Sequence, residues 1–300
     1  NTATLRTLIT LYKSVLTANS GGAAAALTQS EYESIGVTGF SPTATRATAE
    51  VAVLNEVISS FTDNTRADRI TEVVDIRKAV SALIDTVEGK TPAITKSQLG
   101  LLGFAVDDAG VTADVTDDNL SAIQKVLADT GSGTGYDTVD TLAKVQALVN
   151  GAITALEAVK TEADANDGGS ITVAQLEAMG VEGAVDTGTG ANIALINSIL
   201  DGSVASTDAN TVEEVQKLVD VAAKVVDLAG DASAAKLTQA ELTLIGITSV
   251  NSATKLALVN DLLVADSTAQ AALSDTQAFA DVAAKVITNL ELATSATFDD

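Results

Sequence analysis

A ten-residue block recurs four times along this chain: Leu27 to Gly36, Ile94 to Gly103, Ile171 to Gly180 and Leu237 to Gly246. In parallel the copies read Leu/Ile-Thr-x-x-Glu/Gln-x-x-x-Ile/Leu/Met-Gly, and they start 67, 77 and 66 residues apart. A recurring block constrains the fold more than any other signal, because it implies an array of similar units whose neighbours complete one another's cores. The chain therefore reads as related modules rather than as the two unrelated domains that 300 residues would otherwise suggest.

Each block has the chemistry of a short helix with both ends specified. Thr28, Thr95, Thr172 and Thr238 stand as N-caps, with Glu31, Gln98, Gln175 and Glu241 three residues later to close a capping box. Gly36, Gly103, Gly180 and Gly246 fall where a left-handed residue ends a helix. Thr-x-x-Glu/Gln repeated four times would also present a periodic acidic site, but starting a helix accounts for the pattern.

A polar loop follows each first helix, and then a second apolar helix with one amide near its middle. These helices are Val51–Ser59 around Asn55, Leu120–Ala128 around Gln124, Ile193–Leu200 around Asn197 and Leu256–Val264 around Asn260. An amide on such a helix either fixes register or sits solvated at the edge of the apolar face. A third, longer helix follows near Ala67–Val87, Val139–Lys160, Val212–Leu228 and Gln277–Leu290. Two of its copies share Asp-Val-Ala-Ala-Lys-Val verbatim, at Asp220–Val225 and Asp281–Val286. Apolar residues recur there at three- and four-residue steps, so the frequent Val, Ile and Thr belong to helices rather than strands.

The stretch 4–18, with Leu5, Leu8, Ile9, Tyr12, Val15 and Leu16, resembles one more third helix, which either packs on the first unit of its own chain or completes a unit in a neighbouring chain. Leu5, Leu8, Ile9, Tyr12 and Leu16 are the residues expected to make subunit contacts, because repeat arrays normally end in polar caps and this end is apolar. The expected fold is all-α: a tandem array of four three-helix units preceded by one extra helix. Residues 1–26 hold that helix and a linker, and the units span 27–93, 94–170, 171–236 and 237–300.

Composition narrows the function. A formal charge of −23 disfavours nucleic acid and anionic membrane surfaces, while divalent cations and basic surfaces remain open. The chain contains no histidine and no cysteine, which removes Ser-His-Asp and Cys-His catalysis, His-ligated zinc or haem, and iron–sulfur ligation. No run of about 18 uncharged apolar residues is present, so no membrane span is expected. No signal peptide is visible and the first residue is Asn1, so the chain reads as a processed protein or a slice of a longer one.

Three segments invite a chemical reading. Asp164 to Gln175 is similar to an EF-hand calcium loop, with Asp164 first, Asn166 third, Gly169 sixth and Gln175 twelfth. Gln175 stands where a bidentate Glu is usual, Gly168 leaves the fifth place without an oxygen, and the other three units lack the pattern. The acidic pairs Asp107/Asp108, Asp117/Asp118 and Asp299/Asp300 supply carboxylates, but nothing in the sequence sets a pair across a cleft as glycosidase chemistry requires. Asp117 or Asp118 is expected as an N-cap. Gly131 to Tyr136 and Thr187 to Gly190 are Gly-rich but lack the Lys-Ser/Thr of a phosphate loop, and read as connections between helices.

The block and the acidic, Cys-free, Ala/Val/Thr-rich composition resemble the helical tandem repeats of giant bacterial surface, biofilm-associated and adhesin-like proteins. That resemblance covers nearly the whole chain. It implies an extracellular or cell-surface bacterial protein without enzymatic activity and without a required cofactor, self-associating into a filament or surface layer or serving as an adhesin stalk. The alternative is a calcium-responsive binding module that uses the loop at Asp164, Asn166 and Gln175.

Overall fold

A computed structural model describes residues 2–22, 24–62, 66–107, 114–131, 136–165, 170–204, 208–266 and 272–296. The protein is all-α and 66% helical. Among the described residues there are thirteen helices and no strand, only an isolated parallel bridge between Val106 and Val115. Two compact units divide the chain at Thr154/Ala155.

The first unit contains α1 (Thr2–Asn19), α2 (Gln29–Ser34), α3 (Ala44–Ser60), α4 (Ile70–Val87), α5 (Lys96–Leu101), α6 (Asp117–Thr130) and the start of α7 (Leu142–Ala165). Its centre is α4, which packs on α3, α5 and α6. Val73, Ile76, Val80, Leu83 and Ile84 recur along α4 at three- and four-residue steps, and all are buried. Each such side chain contributes about 1.5–3 kcal/mol when fully removed from water. The second unit contains the rest of α7, α8 (Val173–Ala178), α9 (Ile193–Ser203), α10 (Val212–Leu228), α11 (Gln239–Leu244), α12 (Ala253–Ala265) and α13 (Leu273–Ala296). Here α10 touches both α9 and α12, and α13 packs on α12 and α9. Leu142–Asp164 is long and apolar enough to cross a membrane by length and composition, and 44% of that window is buried inside the fold. Lys144, Glu157, Lys160, Glu162 and Asp164 interrupt it.

The recurring block has a complete local explanation. All four Thr-Glu/Gln capping boxes form, on α2, α5, α8 and α11. Gly36, Gly103, Gly180 and Gly246 follow the helix ends at φ of 97°, 94°, 82° and 84°, a region that a side chain would strain. The next residue then donates its N–H back to the third residue from the helix end: Val37 to Tyr32, Phe104 to Leu99, Val181 to Leu176 and Ile247 to Leu242. That is the Schellman closure, and except for the half-buried Phe104 the residues it joins are buried in the core.

The mid-helix amides settle the one position that capping leaves open, the Leu or Ile before the N-cap. Asn55 accepts from the Leu27 N–H at 3.0 Å and donates to the Leu27 carbonyl at 2.9 Å. Asn197 does the same for Ile171 at 2.7 and 3.0 Å, and Asn260 for Leu237 at 2.8 and 3.1 Å. Gln124 only donates, to the Ile94 carbonyl at 2.7 Å, and the Ile94 N–H goes instead to Thr86 Oγ1 at 2.6 Å. These amides thus have the register role. Each one ties a second helix to the strand-like residue that enters a first helix, satisfying backbone groups that would otherwise be buried without partners.

Two expectations are corrected. The N-cap of α6 is Thr116, which bonds the Asn119 N–H, while Asp117 and Asp118 lie in the first turn, where their charge favours the helix dipole. The helix around Asn55 starts at Ala44 rather than Val51, because Arg46 and Glu50 are buried in its first turns by pairing with each other.

Candidate functional site

Exposed large apolar side chains are concentrated on two helices. On α1, Leu5 and Ile9 are 58% and 48% exposed, one helical turn apart. Leu8, Tyr12 and Leu16 are half-buried, and the Tyr12 hydroxyl donates to the Asp68 carbonyl. The residues that hold α1 to the protein are Leu11, Val15 and Asn19, of which the sequence pattern had picked out only Val15. The expected contact set thus divides. Leu5 and Ile9 face solvent, and the other three are partly occupied within their own chain.

The second surface is on α13. Val282, Val286 and Leu290 are 46%, 42% and 59% exposed and stand at four-residue steps along one stripe. Helix α13 holds the protein through Thr276, Ala280, Ala283 and Ile287, which are buried. Sequence reasoning quoted Val282 and Val286 within the shared hexapeptide but did not mark them as surface. The missing signal was the fate of the same hexapeptide in α10, where Val221 and Val225 are 3% and 0% exposed.

The densest cluster of titratable groups lies in the first unit. Glu50 is fully buried and accepts from Arg46 Nε and from the Ser41 N–H, both at 2.9 Å. Arg46 also reaches Asp85 at 2.8 Å, Ser81 Oγ at 3.1 Å and Glu88. Lys90 and the Tyr136 hydroxyl complete the surroundings of Glu88. Burial alone would raise the Glu88 carboxyl, yet Lys90, Tyr136 and Arg46 together hold it below its ordinary value. Burial and the Glu88 charge push the Tyr136 phenol up to about 12. The guanidinium is thus spent on protein acceptors, and the cluster ties α3 to α4 and to the segment after α6. The clue in the sequence was an Arg and a Glu four apart on an apolar helix, which reads equally well as a surface pair.

The calcium-loop residues fall in different settings. Asp164 is exposed in the last turn of α7, and Asn166, Gly168 and Gly169 lie outside the described residues. Gln175 is the capping-box residue of α8, and its Oε1 accepts from both the N–H and the hydroxyl of Thr172 at 2.9 Å. The oxygen at the twelfth loop position therefore already serves a helix start. Among the described residues no group of three or more Asp or Glu is arranged to hold a metal ion. Of the acidic pairs, Asp107 and Asp117 converge on Lys96 at 2.7 and 2.8 Å, which raises the lysine above its ordinary range. Asp108, Asp299 and Asp300, and most of Gly131 to Tyr136, lie outside the described residues, and Gly188 and Gly190 occupy a turn at positive φ.

Comparison of the chain with protein-family models, with curated proteins and with solved structures returns no match.

Proposed function

We propose that this chain is a non-enzymatic structural protein of the bacterial cell surface or extracellular space, self-assembling into a filament or layer. In this reading α2–α4, α5–α7, α8–α10 and α11–α13 are four copies of one three-helix unit, and α1 is an extra helix of the third type. The carrying observation is the Leu5/Ile9 stripe on α1, an apolar surface on a helix that another face, bearing the buried Leu11 and Val15, docks to the protein. Support also comes from the four capping-box helix starts, each with an amide tie, which suit a scaffold assembled by repetition. The net charge of −23 fits a solvated scaffold with no nucleic-acid partner.

Negative-stain electron microscopy of the purified chain at micromolar concentration tests this. Ordered filaments or sheets are expected, and their loss on removing residues 1–19 would place the contact on α1. A monodisperse field of single particles at every concentration would remove the reading.

A further inference from the structure

We infer that the α13 stripe Val282–Val286–Leu290 is the docking face for α1 of a second copy of this chain, so that subunits join by two different surfaces. The inference rests on the self-assembly reading above and names the partner surface for α1.

The first support is internal to the chain. Asp-Val-Ala-Ala-Lys-Val occurs in α10 with both valines buried, and in α13 with both exposed. In α10 the covering chemistry is visible: α12 packs on the helix, and Lys224 reaches Glu241 at the start of α11 at 2.8 Å. The helices on which α13 packs, α12 and α9, both precede it in the chain. Among the described residues nothing covers Val282 and Val286, and no ion pair forms at Lys285. A face written with the same residues as a buried one is suited to burial.

The second support is charge. The chain carries 40 acidic residues, yet none lies before Glu31, and α1 bears Arg6 and Lys13 as its only charges. Helix α13 bears Asp275, Asp281 and Glu291 against Lys285. Pairing α1 with α1 would bring like cations together, and pairing α13 with α13 would bring like anions together. Only the mixed pair matches apolar stripe to apolar stripe and opposite net charge to opposite net charge. A contact between two different patches does not close on itself by two-fold symmetry, so it propagates into rings or open filaments. Five apolar side chains make a small interface, so assembly should be concentration-dependent and sensitive to salt.

Because the chain has no cysteine, disulfide trapping has no background. Full-length Ile9→Cys and Val286→Cys proteins are prepared separately, then oxidised alone and as a mixture. The expected result is a crosslinked dimer in the mixture, far exceeding that in either protein alone. Equal or greater dimer in one protein alone would overturn the mixed pairing. In parallel, light scattering follows assembly of Val286→Asp, with circular dichroism confirming an unchanged fold, and of Arg6→Glu/Lys13→Glu as a second variant away from α13. Each is expected to need at least about tenfold more protein to assemble than the unmodified chain. Assembly of the unmodified chain with Val286→Asp equally competent would overturn this inference and leave self-assembly standing. Failure of the unmodified chain to assemble at all would overturn both.

Discussion

Helices α10 and α13 are written alike over six residues and live in different surroundings. In α10, which packs on α9 and α12, Val221 and Val225 are buried, whereas Val282 and Val286 of α13 meet water. A hexapeptide therefore does not carry its own burial. Its three-four spacing specifies a helix in both places, and the neighbours decide which of its faces is core. The side that both helices bury contains Ala222 and Val226 in α10 and Ala283 and Ile287 in α13, although Val226 is covered less completely than Ile287. What differs is the side bearing Val221 and Val225, which is buried in α10, while the matching side bearing Val282 and Val286 is exposed in α13.

The strongest way to break the comparison is to put the same charge on both helices. Val225→Asp places a carboxylate in a site fully closed to water, and should cost on the order of 4 kcal/mol of stability. Val286→Asp changes an exposed residue and should alter folding stability by no more than about 0.5 kcal/mol. Urea denaturation of the two variants side by side measures the difference. Comparable losses would mean that α13 is buried in the folded protein in solution.

A second change leaves α10 intact and loosens what covers it. Asn260 ties α12 to Leu237, the residue entering α11, through two backbone hydrogen bonds. Asn260→Leu removes both and leaves a buried N–H and carbonyl unpaired, for a loss of about 2–4 kcal/mol. Amide exchange should rise in α11 and α12 and along the Val221/Val225 side of α10, making that helix resemble α13. Protection unchanged around Leu237 would show that the amide is dispensable there.

Much of this was legible in the sequence because helix ends are local. Thr238, Glu241 and Gly246 act within a few residues of one another, so their spacing is sufficient to place a cap and a stop. The amides were visible as polar residues on apolar helices, but their partners lie 23 to 30 residues away and needed the fold to be identified. Arg46 and Glu50 were missed for the same reason, since their burial depends on Ser81 and Asp85 from another helix. The apolar stripe of α1 was recognised, but the division between its docked residues, Leu11 and Val15, and its free ones, Leu5 and Ile9, depends on where α3 lies. The calcium loop looked like a motif because Gln175 sits at the twelfth position, a place it holds as the N3 residue of a capping box.

Lysine sharpens the comparison at a smaller scale. Lys224 is bound by Glu241, and its counterpart Lys285 is exposed with no ion pair among the described residues. Lys224→Met should cost about 0.5–1 kcal/mol, the range for a pair that water partly screens. Lys285→Met should produce no measurable change in thermal midpoint. Equal effects would mean that the ion pair contributes nothing beyond the methylene packing of either side chain.

The smallest expected effect is the pH dependence of the same pair. Burial alone would raise the Glu241 carboxyl, but Lys224 and the N–H and hydroxyl of Thr238 outweigh it, so the group titrates below its ordinary value of 4.5. A carboxyl depressed in the folded state stabilises above its unfolded pKa, and that contribution is lost as the pH falls through the folded value. Stability should therefore be level above about pH 5 and decline on acidification past 4.5, with Glu241 supplying part of the slope. Glu241→Gln isolates that part without dismantling the helix start, because Gln98 and Gln175 close the equivalent boxes on α5 and α8. The variant should unfold with a shallower acid limb while keeping its α11 amide protection near neutral pH. An acid limb of unchanged slope would assign the decline to other carboxylates, of which the Arg46 partner Glu88, also held below its ordinary value, is the first to test.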